Sequence, residues 1–471
     1  MRLESIVSML GYTTIFTYVS YRFLSRNIMD LEISPIQQEI RADLDILASD
    51  KSLSHRVCMF SLFADSTCRV KHFLRAEDTQ RSLTIAQNLG LKAKFEKNGD
   101  LLLTPPKKGL QTPNDILYCG NSGTSMRLFT GLLAGANLYA VLCGDIYLHA
   151  RPMGRILKPL RSIGANITSR IIKTKDGVKE VAPLCVIPSK NKLQEFTYHS
   201  QIASAQVKSA LILAALQGSE KSIFSECELS RDHTENMLYA LQKNPYLQQK
   251  DDKLHITPFG AFDMKNKPLK AFDISIPNDP SSAFFFAVLA CIMPETSITL
   301  RRVMMNKTRI EAFKILEKMG AEIRYENERN DFEKIADITI SSTELKAVDI
   351  TENIAWLIDE IPALSIACSV AKGTSRIRNA AELRVKESDR ISVVAQGLKS
   401  FGIQCVEYDD GFDIIGGTLQ KGVVDSKGDH RIAMSFAIAA CMCGGKILDT
   451  ECIQTSFPNF LDLLSYFAKI Q

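Results

Sequence analysis

Leu316-Glu-Lys-Met-Gly320 ends an amphipathic helix on a glycine, and a short apolar strand follows it. The same pattern stands at Ala86-Gln-Asn-Leu-Gly90, Pro159-Leu-Arg-Ser-Ile-Gly164 and Leu398-Lys-Ser-Phe-Gly402. A glycine just past a helix end takes the left-handed conformation that caps it. The four glycines are separated by 74, 156 and 82 residues, and 156 is twice 78, so a further copy is due near position 242. There Leu241-Gln-Lys-Asn244 supplies asparagine, the next-best left-handed cap. A sixth copy falls near Phe467. Six units of about 75 to 80 residues, each mixing helix and strand, are too large for a thin solenoid and predict an α/β protein of two globular halves with three units each. The apolar runs Ser209 to Leu216 and Ala283 to Met293 are too short to span a bilayer and read as buried helices. The expected ligand site is the cleft between the halves, where helix N-termini would offer free NH groups to anions.

Composition narrows the possibilities. The 471 residues are 45% apolar and 23% charged, which excludes disordered, collagen-like and coiled-coil chains. A net charge of +4 without a basic stripe argues against nucleic acid as a partner. The twelve cysteines are scattered, with Cys441 and Cys443 the only close pair, so they read as reduced residues of a cytoplasmic protein. The seven histidines include no HExxH, and no metal site is expected. Ser5 to Tyr21 carries no charge, but six Ser and Thr residues and Gly11 interrupt it, so it is not expected to anchor the chain in a membrane. Residues 1–38 read as an unassigned N-terminal extension.

The cations stand where anion sites are expected. Ser49-Asp-Lys-Ser-Leu-Ser-His-Arg56 places Lys51, Ser52 and Arg56 at a strand-to-helix turn. Gly120-Asn-Ser-Gly-Thr-Ser-Met-Arg127 pairs small residues around Gly123 with an arginine, and it lacks the lysine of a Walker loop. Arg151 precedes a proline-started helix, and Ser204-Ala-Gln-Val-Lys208 opens another with hydroxyl, amide and ammonium donors. In Glu382-Leu-Arg-Val-Lys-Glu-Ser-Asp-Arg390, Lys386 and Arg390 are four apart and are expected on one helix face beside Glu387. Asp429-His-Arg431 starts an apolar helix, and Ile358-Asp-Glu-Ile-Pro362 sets Asp359 and Glu360 in an apolar segment, which points to acid–base work. Lys51, Arg56, Arg127, Arg151, Lys386, Arg390 and Arg431 would be offset by few acids beyond Asp359 and Glu387. A two-domain enzyme closing on phosphorylated, carboxylated substrates is implied. Spacing alone does not determine the reaction.

From about Asp43 to Leu464 the chain resembles the 5-enolpyruvylshikimate-3-phosphate synthase family. Eight ordered motifs carry the likeness, among them Asp50-Lys-Ser-Leu-Ser-His-Arg56, Asn121-Ser-Gly-Thr-Ser-Met-Arg127, Ser230-Arg-Asp-His-Thr-Glu235, Leu383-Arg-Val-Lys-Glu-Ser-Asp-Arg390 and Asp429-His-Arg-Ile-Ala-Met434. The resemblance implies a two-domain inside-out α/β barrel built from six βαβαββ repeats, three per domain, with the active site in the interdomain cleft. It implies an inserted domain of residues 50–273 on the shikimate 3-phosphate side, and an outer domain of 39–49 plus 274–471. The reaction implied is transfer of the enolpyruvyl group of phosphoenolpyruvate to the 5-hydroxyl of shikimate 3-phosphate, on the pathway to chorismate and aromatic amino acids. No cofactor or metal is implied, and a monomer is expected.

Carried over residue by residue, the resemblance puts Lys51, Ser52, Arg56, Ser204, Gln206, Asp359 and Lys386 on shikimate 3-phosphate. It puts Lys51, Gly123, Arg127, Arg151, Gln206, Arg390 and Arg431 on phosphoenolpyruvate. Asp359 becomes the base for the attacking hydroxyl, and Glu387 with Lys51 handles the methylene proton. For that role the Glu387 pKa is expected to be balanced between burial, which raises it, and Lys386 and Arg390, which lower it.

Two departures stand out. Ala48-Ser49 replaces the usual Pro-Gly, and Thr455-Ser456 precedes Phe457-Pro458 where some relatives have lysine. Gly123 is kept where inhibitor-tolerant relatives have alanine, which implies ordinary glyphosate sensitivity. The alternatives are the related enolpyruvyl transferase acting on a uridine-diphosphate amino sugar, whose cysteine loop has no clear counterpart here, and an inactive metabolite-binding relative.

Overall fold

The computed structural model describes residues 29–174, 177–190, 192–241, 246–259, 268–330 and 332–471. Ser5 to Tyr21 and the asparagine cap at 244 lie outside the described residues. The other four caps adopt the expected conformation, with φ of +104° at Gly90, +98° at Gly164, +102° at Gly320 and +80° at Gly402. Each ends a helix whose next element is a strand of a small mixed sheet.

The unit around Gly164 shows the pattern. Leu117–Tyr118 runs parallel to Ala140–Cys143, which pairs antiparallel with Gly177–Ile187, and Asn166–Thr174 completes the hairpin. The helices Gly123–Ala136 and Gly154–Ser162 fill the two connections, giving βαβαββ. Among the described residues, five four-stranded sheets and one three-stranded sheet are formed. Apolar residues gather in two cores: one is drawn from Leu53 to Ile276 with Met304, and the other from Leu31 to Ala48 and Ala283 to Ala468 with Leu74 and Ala76. The fold is the two-domain inside-out α/β arrangement.

Two features go beyond the repeat. The chain crosses between the halves twice: Arg41–Leu44 runs parallel to Ser297–Met304 in the outer half, and Asp273–Ser275 runs parallel to Cys68–Lys71 in the inserted half. Where the chain crosses, the two passages lie side by side, with Asp50 N donating to Pro277 O at 2.8 Å and Asp279 N donating to Ala48 O at 2.9 Å. The Ala48-Ser49 departure therefore sits in a paired crossing. The second feature corrects the expected extension, because Leu31–Ile33 is a strand antiparallel to Gly445–Leu448, with Leu31 and Ile33 buried. The sixth unit thus takes its last strand from the N-terminal side, and Ile33 also bridges to Ile470 after the helix Phe460–Ser465.

The helices Gly123–Ala136 and Ala205–Ala215 touch at Gly131, where an added Cβ would lie 2.2 Å from Ala210 O. Gly131→Ala is expected to lower the unfolding free energy by about 1–3 kcal/mol, as overpacking does. Helix propensity works the other way by only about 0.5–1 kcal/mol. A denaturation midpoint that rises in the variant would show that the helices have room to part.

Candidate active site

Helix starts converge on the cleft. Lys51–Phe60 is capped by Asp50, whose carboxylate accepts from Leu53 N at 2.7 Å, and Gly123–Ala136 by Ser122. Ser204 caps Ala205–Ala215, Asp279 caps Pro280–Ile292, Asp389 caps Arg390–Ser400 and Asp429 caps His430–Cys443. Asp and Ser are favoured there because their side chains take the NH groups that a first turn leaves unpaired. Residues just after five of these caps, together with Asp279 itself, line one cavity of about 790 Å³.

The thirteen residues that the resemblance puts on the substrates or in proton transfer all line that cavity: Lys51, Ser52, Arg56, Gly123, Arg127, Arg151, Ser204, Gln206, Asp359, Lys386, Glu387, Arg390 and Arg431. Ser456 does not. Among the described residues, no His, Cys, Asp and Glu side chains cluster so as to hold a metal ion. No helix among them is long and apolar enough to cross a membrane.

Arg390 organises the outer wall. It is 1% exposed and donates through Nε to Asp429 Oδ2 at 2.8 Å, through Nη1 to Asp359 Oδ1 at 3.0 Å and through Nη2 to Glu387 Oε2 at 2.8 Å. Asp359 also accepts from Arg231 Nη1 at 2.6 Å, and Glu387 lies 3.1 Å from Arg151 Nη2. Burial works to raise the Asp359 pKa, but Arg231, Arg431, Lys386 and Arg390 outweigh it and hold the carboxyl well below its usual range. Glu387 is likewise drawn well down against its burial, chiefly by Arg151 and Arg390. This corrects the expectation of a balanced Glu387. Lys386 has its pKa lowered by burial, against the pull of Asp359 and Glu382.

Across the cleft, Arg127 donates Nη1 to Gln206 Oε1, and Gln206 Nε2 reaches Thr124 Oγ1 at 3.1 Å. Burial lowers the Arg127 pKa to about 10, and Arg151 and Arg155 add to the effect. Arg56 is also brought to about 10 by burial, and donates to Thr234 Oγ1 at 2.8 Å and Ser209 Oγ at 2.9 Å. Arg431 is 7% exposed and its Nε finds no protein acceptor among the described residues. A Cβ on Gly123 would lie 3.0 Å from both Arg127 Nη1 and Arg151 Nη1, so glycine keeps the space between two guanidiniums open. Cationic side chains with spare donors around such a gap form an anion seat.

Several expectations need correction. Lys386 and Arg390 do not share a helix face, because Lys386 follows the 3₁₀ turn Ala381–Val385 and Arg390 is the first residue of the next helix. Lys208 faces away from the cavity, with its ammonium 2.7 Å from Glu226 and 2.8 Å from Glu235. Glu360 is buried against Ser281 and Arg231 rather than facing the cavity. Acids are also more numerous than foreseen: ten cations of the cavity wall face seven carboxylates, including Asp78, Asp279 and Glu382. Asp78 takes the Lys51 ammonium at 3.0 Å, and Glu382 takes Arg155 Nη1 at 2.6 Å. Arg155, Arg231 and Asp78 were not singled out because their partners are distant in the chain. Arg231 does stand inside a quoted motif, which is the only sequence signal it gives.

A family model described as EPSP synthase (3-phosphoshikimate 1-carboxyvinyltransferase) matches residues 35–464. The chain belongs to this family. It is 52% identical over 427 residues to the 3-phosphoshikimate 1-carboxyvinyltransferase of a Nitratiruptor species, covering 90% of this chain and 95% of that one. The namesake in Wolinella succinogenes is 49% identical, covering 93% and 97%. Among solved structures, EPSP synthase from Acinetobacter baumannii is similar at a TM-score of 0.79 and 37% identity, covering 94% of this chain and 99% of that one. The enolpyruvyl transferase NikO from Streptomyces tendae shares the fold, at a TM-score of 0.68 and 14% identity with 94% and 98% covered.

Inorganic phosphate is expected to raise the thermal midpoint of the family member described here, by about 2.7 kcal/mol of added stability at about 100 times its dissociation constant. In Gly123→Ala the methyl group intrudes between Arg127 and Arg151, so most of that gain should vanish. A midpoint equally raised in both proteins would place the bound anion elsewhere.

Proposed function

We propose that this chain transfers the enolpyruvyl group of phosphoenolpyruvate to the 5-hydroxyl of shikimate 3-phosphate and releases phosphate. The carrying observation is that Asp359 and Glu387 flank one guanidinium, Arg390, in a cavity whose wall also holds Gly123, Arg127, Arg151 and Arg431. A binding protein needs the cations; the two carboxylates held beside them fit proton transfer.

In this reading shikimate 3-phosphate sits against Lys51, Ser52, Arg56, Ser204, Gln206 and Lys386. Asp359, kept ionised by its arginines, takes the proton of the attacking hydroxyl. The phosphate and carboxylate of phosphoenolpyruvate sit against Arg127, Arg151, Arg390 and Arg431. An anion there competes for the charge that holds Glu387 down, so its pKa climbs toward a range where it can give and take a proton. Glu387 with Lys51 then protonates the methylene carbon, and removes a proton from it again as phosphate leaves the tetrahedral adduct. The polar wall and the cross-cleft ion pairs exclude water and align the two anions. The reading carries a cytoplasmic setting with it, which twelve cysteines without a disulfide fit, and a monomer that needs no partner to complete the cavity.

Phosphate release by the purified protein should require both substrates, persist in EDTA and match formation of the enolpyruvyl ether. Glu387→Gln should keep affinity for shikimate 3-phosphate in calorimetry while turnover falls about 10²- to 10⁴-fold, the usual worth of a positioned acid–base group. Release from either substrate alone, or normal turnover in the variant, would overturn the reading or the assignment of Glu387, respectively.

A further inference from the structure

Buried beneath the cavity lies a charged network that the proposed reaction does not use. Lys208 is 2% exposed, and its ammonium donates to Glu226 Oε1 at 2.7 Å and to Ser230 O at 3.3 Å, and lies 2.8 Å from Glu235 Oε1. Glu226 accepts in turn from Ser230 N at 3.0 Å and from Ser230 Oγ at 2.6 Å. The connection between the strand Ser222–Glu226 and the helix His233–Leu241 is therefore fastened to one cation at its start, near its middle and just beyond its end. A buried ion cluster is costly to assemble, and once its donors and acceptors are matched it favours a single geometry.

The same connection carries contacts to the other half of the molecule. Leu229 O accepts from Trp356 Nε1 at 2.5 Å. Arg231 donates Nη1 to Asp359 at 2.6 Å and Nη2 to Glu360 at 3.3 Å. Asp232 accepts from Asn306 Nδ2 at 2.8 Å and from Thr308 Oγ1 at 3.4 Å. Another cross-cleft ion pair, Arg155 with Glu382, is 34% and 39% exposed, and pairs as open to water as this hold little. Arg231 is 13% exposed and its partner Glu360 only 2%.

We propose that residues 226–232 form the latch that locks the two halves together, with Lys208 and Glu226 as positioning residues that act through Arg231. Only the substrate readout below rests on the proposed reaction. The clamp fixes the path of the connection, the path aims the Arg231 guanidinium at Asp359, and the Trp356 indole is held to the same backbone.

Trp356 is the only tryptophan in the chain, so its fluorescence reads the latch without a label. Glu226→Gln keeps the size of the side chain and removes its charge. In the full-length, ligand-free protein its Trp356 emission should shift to the red. Affinity for shikimate 3-phosphate in calorimetry should weaken about tenfold, the scale of one hydrogen bond to a charged group. In an Arg231→Gln background the same change should cost less than about twofold, because Glu226 then has no aimed cation to act through. Ser230→Ala removes a single hydroxyl and should move both readouts the same way by less, and it takes the place of Glu226→Gln if that variant does not fold. Unchanged emission and affinity in the variants, or losses that multiply with Arg231→Gln, would overturn the latch. A wild-type protein that neither binds nor turns over shikimate 3-phosphate would sink the proposed reaction, while the emission of Trp356 would still decide the latch.

Discussion

Arg390 is the interaction on which the cleft depends. A guanidinium this deeply buried is tolerated only where carboxylates surround it, and Asp429, Glu387 and Asp359 do so. Each of the three has a second task. Asp429 caps the helix that carries His430 and Arg431, accepting from Arg431 N at 2.9 Å. Asp359 reaches Arg231 of the other half, and Glu387 reaches Arg151. One cation thus sets the entry of a helix, the ionisation of two carboxylates and two of the contacts across the cleft.

That arrangement decides how the cavity carries its charge. Seven free cations in one cleft would repel one another strongly. The wall avoids this by pairing: Lys51 with Asp78, Arg155 with Glu382, and Arg151 and Arg390 with Glu387. Arg127 and Arg431 lie outside these pairs, and they stand where phosphoenolpyruvate is proposed to sit. The excess of positive charge is therefore local, although the chain as a whole is nearly neutral.

Much of this was legible in the sequence, for a physical reason. A helix end needs a left-handed residue, so Gly90, Gly164, Gly320 and Gly402 marked the repeat. A helix start needs a cap and can seat an anion, so Lys51, Arg127, Arg390 and Arg431 could be singled out from their neighbours. What was illegible depends on partners far away in the chain. Arg231 and Asp359 are 128 residues apart, and Arg155 and Glu382 are 227 apart. Lys208 looked like a cavity donor because its helix start faces the cavity, but its own side chain finds Glu226 and Glu235 behind it. Leu31–Ile33 was hidden because a three-residue strand carries no periodicity of its own.

The double crossing of the chain between the halves also sets an order of assembly on the ribosome. Among the described strands Leu31–Ile33 and Arg41–Leu44 emerge first, yet their partners Gly445–Leu448 and Ser297–Met304 are made hundreds of residues later. In the interval the inserted half can gather its own core, because Asp273–Ser275, at the edge of one of its sheets, is made before either of those partners. The earliest strands must wait with open edges, exposed to wrong pairing, until the last unit is synthesised. Nascent chains released before about residue 450 would therefore carry a formed inserted half beside an outer half that cannot close.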